Sequence, residues 1–332
     1  MTTPLESMSR TSATMESATA GASPSTAMDH LSLCASTRSA AVTKLLWKVW
    51  EERECLKLDG INNLLRGYSW AALRTNFNVG RLMFDAGLSA NILADYIFLT
   101  HGHSDHSASL YFHTLSENQK VIFVPAAIAD TTRLLLQTTY ALSNFGVPFD
   151  PELATWKVVP VAAGDELDII HNGKRHQVKV YGNDHSVPCV SFGIKEEKKK
   201  VKAEYQSYID QNRGRELGAL RRQGVEVEEI SFVPRFVYIG DTTEQVFELN
   251  PDLFSYKDII VECTFLLEDD LEQASHTKHC HWKTLRPHIQ AHPECRFILY
   301  HFSQRYKPAE IEDFFRSGGP NFEPNVLAWT HS

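Results

Sequence analysis

The chain has no Cys-x-x-Cys pair, no long apolar run and no excess of positive charge, and each absence removes a class of protein. Its six cysteines, Cys34, Cys55, Cys189, Cys263, Cys280 and Cys295, are scattered. Neither a disulfide scaffold nor a zinc ribbon is indicated, and a reducing compartment is expected. A membrane span needs roughly 18 to 20 consecutive apolar residues; nothing here approaches that, and the first residues lack the apolar core of a secretory signal. The expectation is a soluble intracellular protein, cytoplasmic or nuclear, with no membrane partner. With 33 Lys and Arg against 41 Asp and Glu, for a formal net charge of −8, overall Coulomb attraction cannot hold a nucleic acid. Such a partner would need a local basic patch.

What is present is enough apolar material for a sizeable core, 43% of 332 residues. Residues 1–41 are rich in Ser, Thr and Ala without helix or strand periodicity, and read as a disordered leader. An organelle transit peptide is the other reading of that leader, although Arg10 and Arg38 are outnumbered there by Glu6, Glu16 and Asp29. Residues 42–332 read as a single domain. In it, Leu82–Phe84, Tyr96–Leu99, Val121–Val124, Phe236–Ile239, Ile259–Val261 and Phe297–Tyr300 are short apolar runs of buried-strand type. Ala126 to about Leu142, Trp282 to about Gln290 and Pro308 to about Phe315 have helical spacing. Strands covered by helices on both sides imply a layered α/β core.

The polar residues at the strand ends carry the chemistry. Phe84 leads into Asp85-Ala86-Gly87, Leu99 into Thr100-His101, Ile239 into Gly240-Asp241, Val261 into Glu262, and Tyr300 into His301. Sheets fix the backbone at such places while the following loop exposes the side chain. The densest segment is His101-Gly102-His103-Ser104-Asp105-His106. Two residues apart on extended chain, His101 and His103 point the same way and can share one cation, while Asp105 and His106 fall on the turn beyond and can face a second. Imidazole with carboxylate suits zinc, and manganese or iron could occupy similar sites. His30, His113, His171 and His176 lack such a context and are expected at the surface.

His-x-His-x-Asp-His after a strand, preceded by Phe84-Asp85-Ala86-Gly87, resembles the hallmark of the metallo-β-lactamase superfamily. The resemblance implies an αββα sandwich, two mixed sheets flanked by helices. It also implies two metal ions, one held by His101, His103 and His185, the other by Asp105, His106 and His301, with Asp241 bridging and Asp85 orienting the site from behind. Asp184-His185-Ser186-Val187-Pro188, Gly240-Asp241-Thr242-Thr243, Glu262-Cys263-Thr264-Phe265, His279-Cys280-His281 and His301 to Tyr306 are similar to segments of the short-form tRNase Z family. That resemblance implies a zinc endonuclease cutting precursor tRNA beyond its acceptor stem to leave a 3′-hydroxyl, and a homodimer. In such an enzyme Asp105 would orient the nucleophile, Glu262 would hold a proton-donating histidine, and Arg305 could clamp a phosphate. The donor stays open between His279 and His281, because the family's usual His-Ser-Thr stands here as His279-Cys280-His281.

The insert at about 195–230 is dense in cations, and Lys199, Lys200, Lys202 and Tyr205 are its candidates for tRNA contact. Interleaved acids equally allow a solvated helical insert. Two rival functions remain at this stage: a hydrolase of a small phosphodiester or thioester on the same metal centre, and an inactive RNA-binding or partner subunit.

Overall fold

A computed structural model of the chain describes residues 55–89, 93–116 and 118–330; the leader and His30 lie outside these. Strands β1 (Leu56–Lys57), β2 (Leu64–Trp70), β3 (Arg74–Val79), β4 (Leu82–Phe84), β5 (Tyr96–Phe98), β6 (Lys120–Pro125) and β7 (Trp156–Val161) form one sheet in chain order. β1 to β4 pair antiparallel, then β4 to β7 run parallel. The second sheet repeats this plan with β8 (Glu166–His171), β9 (Lys174–Gly182), β10 (Val190–Val201), β11 (Glu228–Tyr238), β12 (Asp258–Glu262), β13 (Arg296–Tyr300) and β14 (Val326–Ala328). Here β8 to β11 are antiparallel and β11 to β14 parallel.

Alternation decides which face each residue takes. The inward faces of both sheets form one aromatic-rich core in which Phe84 meets Phe236 at 5.7 Å, Phe98 meets Phe192 at 5.1 Å and Phe77 meets Tyr300 at 5.2 Å between ring centroids. The parallel strands are apolar on their outward faces too, as strands covered on both sides must be. Among the described residues the helices are α1 (Ser104–Ser107), α2 (Leu110–His113), α3 (Ala129–Ser143), α4 (Gln206–Asp210), α5 (Gly214–Arg222), α6 (Val246–Leu249), α7 (Leu271–Thr277), α8 (Trp282–Ala291) and α9 (Pro308–Phe314). α2 and α3 bury Leu110, Ala129 and Leu136 against Met83, Ile97 and Ile122 of the first sheet. α6, α8 and α9 bury Phe247, Leu285, Ile289 and Ile311 against Val237, Ile259 and Phe297 of the second. The layers are those of an αββα sandwich, and every strand and helix read from the apolar pattern is present. No described helix is long and apolar enough to cross a membrane.

Two expectations are corrected. The insert is not simply helical: β10 continues to Val201 and β11 begins at Glu228, so the two strands extend the sheet as a ribbon that carries α4 and α5 at its tip. At the root of this ribbon Glu196 is buried against Arg235 (2.6 Å), Lys174 (2.8 Å) and Lys198 (3.0 Å), which lets a charged Glu-Glu-Lys-Lys-Lys run pair as a strand. The histidines His113, His171 and His176 are not at the surface but buried. His171 and His176 occupy inward positions of their strands, in register with Ile169 and Val178, and His113 is bonded from Nε2 to the Leu88 carbonyl at 2.9 Å. One backbone or amide partner apiece suffices to bury a neutral ring.

Burial pushes His113 and His171 down to about 4. Both are neutral when folded and take up protons near their ordinary value when unfolded, so stability present above pH 6.5 is lost as pH falls toward 4. For His113 the loss between pH 7 and 5 should be about 2 kcal/mol. Denaturant unfolding at the two pH values checks this: His113→Gln should lose that much less than the parent, and an identical loss in both would remove His113 as its source.

Candidate metal centre

The site forms where the carboxyl ends of the parallel strands of both sheets meet. β4 ends in Asp85, β5 in Thr100-His101, β11 in Gly240-Asp241, β12 in Glu262 and β13 in His301. The turn after β5 brings His103, Asp105 and His106 back over the same point through the single turn of α1. That turn can approach only because residue 87 is glycine, where a Cβ would lie 1.7 Å from the Asp105 carbonyl oxygen. His185 comes from the loop between β9 and β10, and His279 from the segment after α7.

All seven expected ligands converge. Donor atoms of His101, His103, His185 and Asp241 lie within 4.8 Å of one another, as do those of Asp105, His106 and His301, and those of Asp241, His279 and His301. Asp241 Oδ2 stands between the groups, 3.6 Å from His101 Nε2, 3.4 Å from His106 Nε2 and 3.6 Å from His301 Nε2. Ring nitrogens face one another at 3.1 Å (His101 to His103), 3.4 Å (His185 to His103) and 3.2 Å (His106 to His301).

The outer partners show which nitrogen carries the proton. Thr100 Oγ1 donates to Asp85 at 2.9 Å and so accepts from His101 Nδ1 at 3.0 Å. Thr264 Oγ1 donates to Glu262 at 2.6 Å and so accepts from His301 Nδ1 at 3.0 Å. His106 Nδ1 donates to Asp85 at 2.8 Å, and His185 Nδ1 to the Lys278 carbonyl at 2.9 Å. Each of these four rings therefore presents an Nε2 lone pair to the interior. Buried Asp241 Oδ1 has no hydrogen-bond partner. Converging lone pairs around a buried carboxylate, one of whose oxygens has no hydrogen-bond partner, are what divalent cations satisfy, so the residues fit the metal that the fold implies.

Electrostatics agree. Burial first, then the neighbouring His106, pushes His101 well below its ordinary value, leaving it neutral as a ligand must be. Burial disfavours charge on Asp241 as well, but His106, His301 and His101 hold it well below the usual carboxylate range. His106 is raised against its burial by Asp241 and Asp85, so without a cation it carries the proton that a metal would displace. Asp105 is held low, against its burial, by its neighbours His301 and His106.

Around this centre the other expected residues divide. His279 Nδ1 bonds Glu262 Oε1 at 2.7 Å, and its ring stacks on His301 at 5.4 Å. His281 is turned away: its Nδ1 accepts from Lys283 N at 3.0 Å to cap α8, and its Nε2 bonds the Leu267 carbonyl at 2.8 Å. Arg305 is engaged with Asp270 and with Gln273 at 2.9 Å, and lies over the Phe265 ring. Lys199 and Lys200 are exposed on the far half of β10, Lys202 sits 4.0 Å from Glu226, and Tyr205 lies against Tyr208. Val190, at the near end of β10, bonds the Thr100 carbonyl; ten residues of strand put Lys200 about 30 Å from the metal centre. Sequence reading missed Tyr238, whose hydroxyl donates to Asp85 at 2.9 Å but which reads as one more apolar strand residue, and Lys278, which acts through its carbonyl.

No protein-family model matches the chain. It is similar to tRNase Z TRZ1 of Arabidopsis thaliana, 29% identical over 269 residues that cover 78% of this chain and 89% of the relative. It is also similar to tRNase Z TRZ2, chloroplastic, of the same plant, 26% identical over 249 residues, 73% of this chain and 65% of that somewhat longer relative. Among solved structures, the metallo-β-lactamase fold protein YhfI from Bacillus subtilis aligns with a TM-score of 0.51 at 15% identity, over 80% of this chain and 96% of that one. The two mixed sheets and their flanking helices are those of the metallo-β-lactamase fold. Both of these curated relatives are tRNase Z proteins, and it is that family the chain resembles in sequence.

Asp85 is the residue on which ligand orientation turns. Asp85→Asn can still accept from Thr100, but it offers an N–H where His106 Nδ1 now donates, which would turn the His106 proton inward. Zinc affinity of the Asp105–His106–His301 group should fall by about 10- to 100-fold in this variant with the fold retained. Competitive zinc titration reads the change, and parental affinity would contradict the assigned tautomer.

Proposed function

We propose that the chain is a two-metal endoribonuclease that cuts precursor tRNA just beyond the acceptor stem and leaves a 3′-hydroxyl. The observation that carries this reading is the array of inward lone pairs around the buried carboxylate of Asp241, whose Oδ1 has no hydrogen-bond partner, in a chain that spans 89% of tRNase Z TRZ1. His101, His103 and His185 would hold one ion, Asp105, His106 and His301 the other, with Asp241 between them. Zinc suits this imidazole-rich set best, with manganese or iron as substitutes. When bound, such a pair lowers the pKa of a water and neutralises charge developing on the phosphoryl oxygens.

The chain's own groups do the rest. Asp105, with one oxygen fixed by the Ala72 amide at 2.9 Å, orients the attacking water and accepts its proton. As the bond from phosphorus to the 3′-oxygen breaks, that oxygen needs a proton. His279 is the donor in this reading: burial lowers its pKa, but Glu262 at 2.7 Å and then Asp241 outweigh it and leave it at about 9, protonated at neutral pH. Cations held at Asp241 would draw that value down toward the working range. Glu262 is itself fixed by Thr242 N at 3.0 Å and Thr264 Oγ1 at 2.6 Å, so the donor ring has one orientation. His281 has one ring nitrogen in the helix cap and the other on the Leu267 carbonyl, which favours His279. Lys199, Lys200, Lys202 and Tyr205 are proposed to meet the body of the tRNA, far from the cut.

The test is cleavage of a 3′-extended precursor tRNA under controlled zinc, with the new end mapped. One cut beyond the acceptor stem, leaving a 3′-hydroxyl, is expected. Asp105→Ala and His103→Ala should abolish measurable turnover, and His279→Ala should lower kcat by about 100- to 10,000-fold. His281→Asn, which keeps a capping acceptor, should stay within a few-fold of the parent. Faster turnover of an aryl phosphodiester or a glutathione thioester than of precursor tRNA would instead favour a small-molecule hydrolase. A homodimer, which only the family resemblance suggests, is checked by light scattering on the same preparation.

A further inference from the structure

Three non-glycine residues around the site hold left-handed backbone: Asp85 (φ 58°), His301 (φ 64°) and Lys278 (φ 59°). That conformation is unfavourable for any residue with a Cβ and persists where the surroundings enforce it. Two of the three belong to the metal centre already described. Lys278 ends α7, where glycine would close the helix without strain, and it directly precedes His279.

Both halves of Lys278 are used. Its carbonyl accepts the Nδ1 proton of His185 at 2.9 Å, and its Nζ reaches both carboxylate oxygens of Asp184 at 3.1 Å. Asp184 precedes His185, and it is also tied to the loop of the bridging carboxylate. It accepts from Thr243 Oγ1 at 2.7 Å, its amide donates to Thr242 Oγ1 at 3.1 Å, and its carbonyl accepts from Thr243 N at 3.0 Å. His185 stands on the loop between β9 and β10 and His279 on the segment after α7, so two separate loops have to be held together at the site.

We propose that Lys278 is a positioning residue: through its carbonyl on His185 and its ammonium on Asp184, it locks the third ligand's loop to the segment bearing the proton donor. The proposal rests on the dinuclear nuclease reading above. The ion pair is partly exposed, with side chains 42% and 22% accessible, so its own energy is small. Its leverage is geometric, because small displacements of a ligand or donor register in metal affinity and turnover.

The experiment is a competitive zinc titration of the chelator-stripped full chain, paired with steady-state cleavage of precursor tRNA, for Lys278→Met, Asp184→Asn, the double variant, Lys278→Arg and Lys278→Gly. Lys278→Met and Asp184→Asn should each weaken zinc at the His185 group by about tenfold and lower kcat with KM unchanged. The double variant should be no worse than the poorer single, since both remove one interaction. Lys278→Arg should restore both readouts. Lys278→Gly should lose zinc affinity as Lys278→Met does while melting no lower than the parent. Zinc affinity and kcat within twofold of the parent in Lys278→Met and Asp184→Asn, or additive losses in the double variant, would reduce Lys278 to a helix cap. If Lys278→Met melts early, Asp184→Asn decides, because it leaves residue 278 intact. An inactive parent whose zinc affinity still follows these variants overturns the nuclease reading alone, whereas an active parent with zinc binding insensitive to them overturns the positioning role alone.

Discussion

A carboxylate buried with one oxygen unpartnered, ringed by imidazoles that turn their lone pairs toward it, is the constraint around which this protein is arranged. Left to itself such a cluster is costly, because burial opposes charge on Asp241 and no donor reaches its Oδ1. It persists because four of the rings, His101, His106, His185 and His301, are pinned from outside by hydrogen-bond partners. Asp85 alone receives Thr100 N at 2.8 Å, Thr100 Oγ1, His106 Nδ1 and the Tyr238 hydroxyl. A carboxylate with four donors has no freedom left, and that rigidity passes to His106 and, through Thr100, to His101.

The fold supplies this by repetition. Each sheet has an antiparallel half that closes the sandwich and a parallel half whose strands end together. Parallel strands deliver their carboxyl ends to one edge, and because the two sheets face each other those edges coincide. Asp85 and His101 arrive from one sheet, Asp241, Glu262 and His301 from the other, so the centre bridges both halves of the core. Disturbing the sandwich packing near Phe84, Tyr238 or Tyr300 therefore disturbs the clustered histidines and carboxylates directly, since those rings occupy or adjoin the strand ends in question.

Much of this was legible in the residues. Apolar runs marked the core strands because parallel strands are covered on both faces, and the residue after each run marked the site because strand ends are where polar side chains can be exposed yet fixed. The ribbon of β10 and β11 was illegible because its charged run pairs through the backbone, with Glu196 neutralised by cations brought from β9 and β11. His171 and His176 were misread as surface groups although they stand in the inward register of Ile169 and Val178, a period-two signal that their polarity masked. Lys278 could not have been found from side-chain type, since its hold on His185 comes from a carbonyl and a backbone angle. The choice between His279 and His281 needed the fold as well. Only packing shows that one faces Asp241 at 3.8 Å while the other caps a helix.

The centre is graded from dry to wet, and that gradient bears on what it can act upon. His101, His106, Asp241 and His301 are buried, whereas His103, Asp105, His185 and His279 are partly open. In the proposed chemistry the open groups are the ones that meet the reacting phosphate or its proton, and the buried ones fix the field they work in. A phosphodiester inside a polymer can reach such an edge without being engulfed, and no closed cavity of small-molecule size is required. Under the proposed function, a chain of net charge −8 would have to hold such a polymer locally. The ribbon sets Lys199 and Lys200 about 30 Å from the centre, so a substrate that used both would have to be large, structured and anionic along its length. In the proposed reading a folded RNA, with its cleavable end at the site and its body toward the ribbon, would meet all three conditions, whereas a small diester or thioester is neither large nor structured.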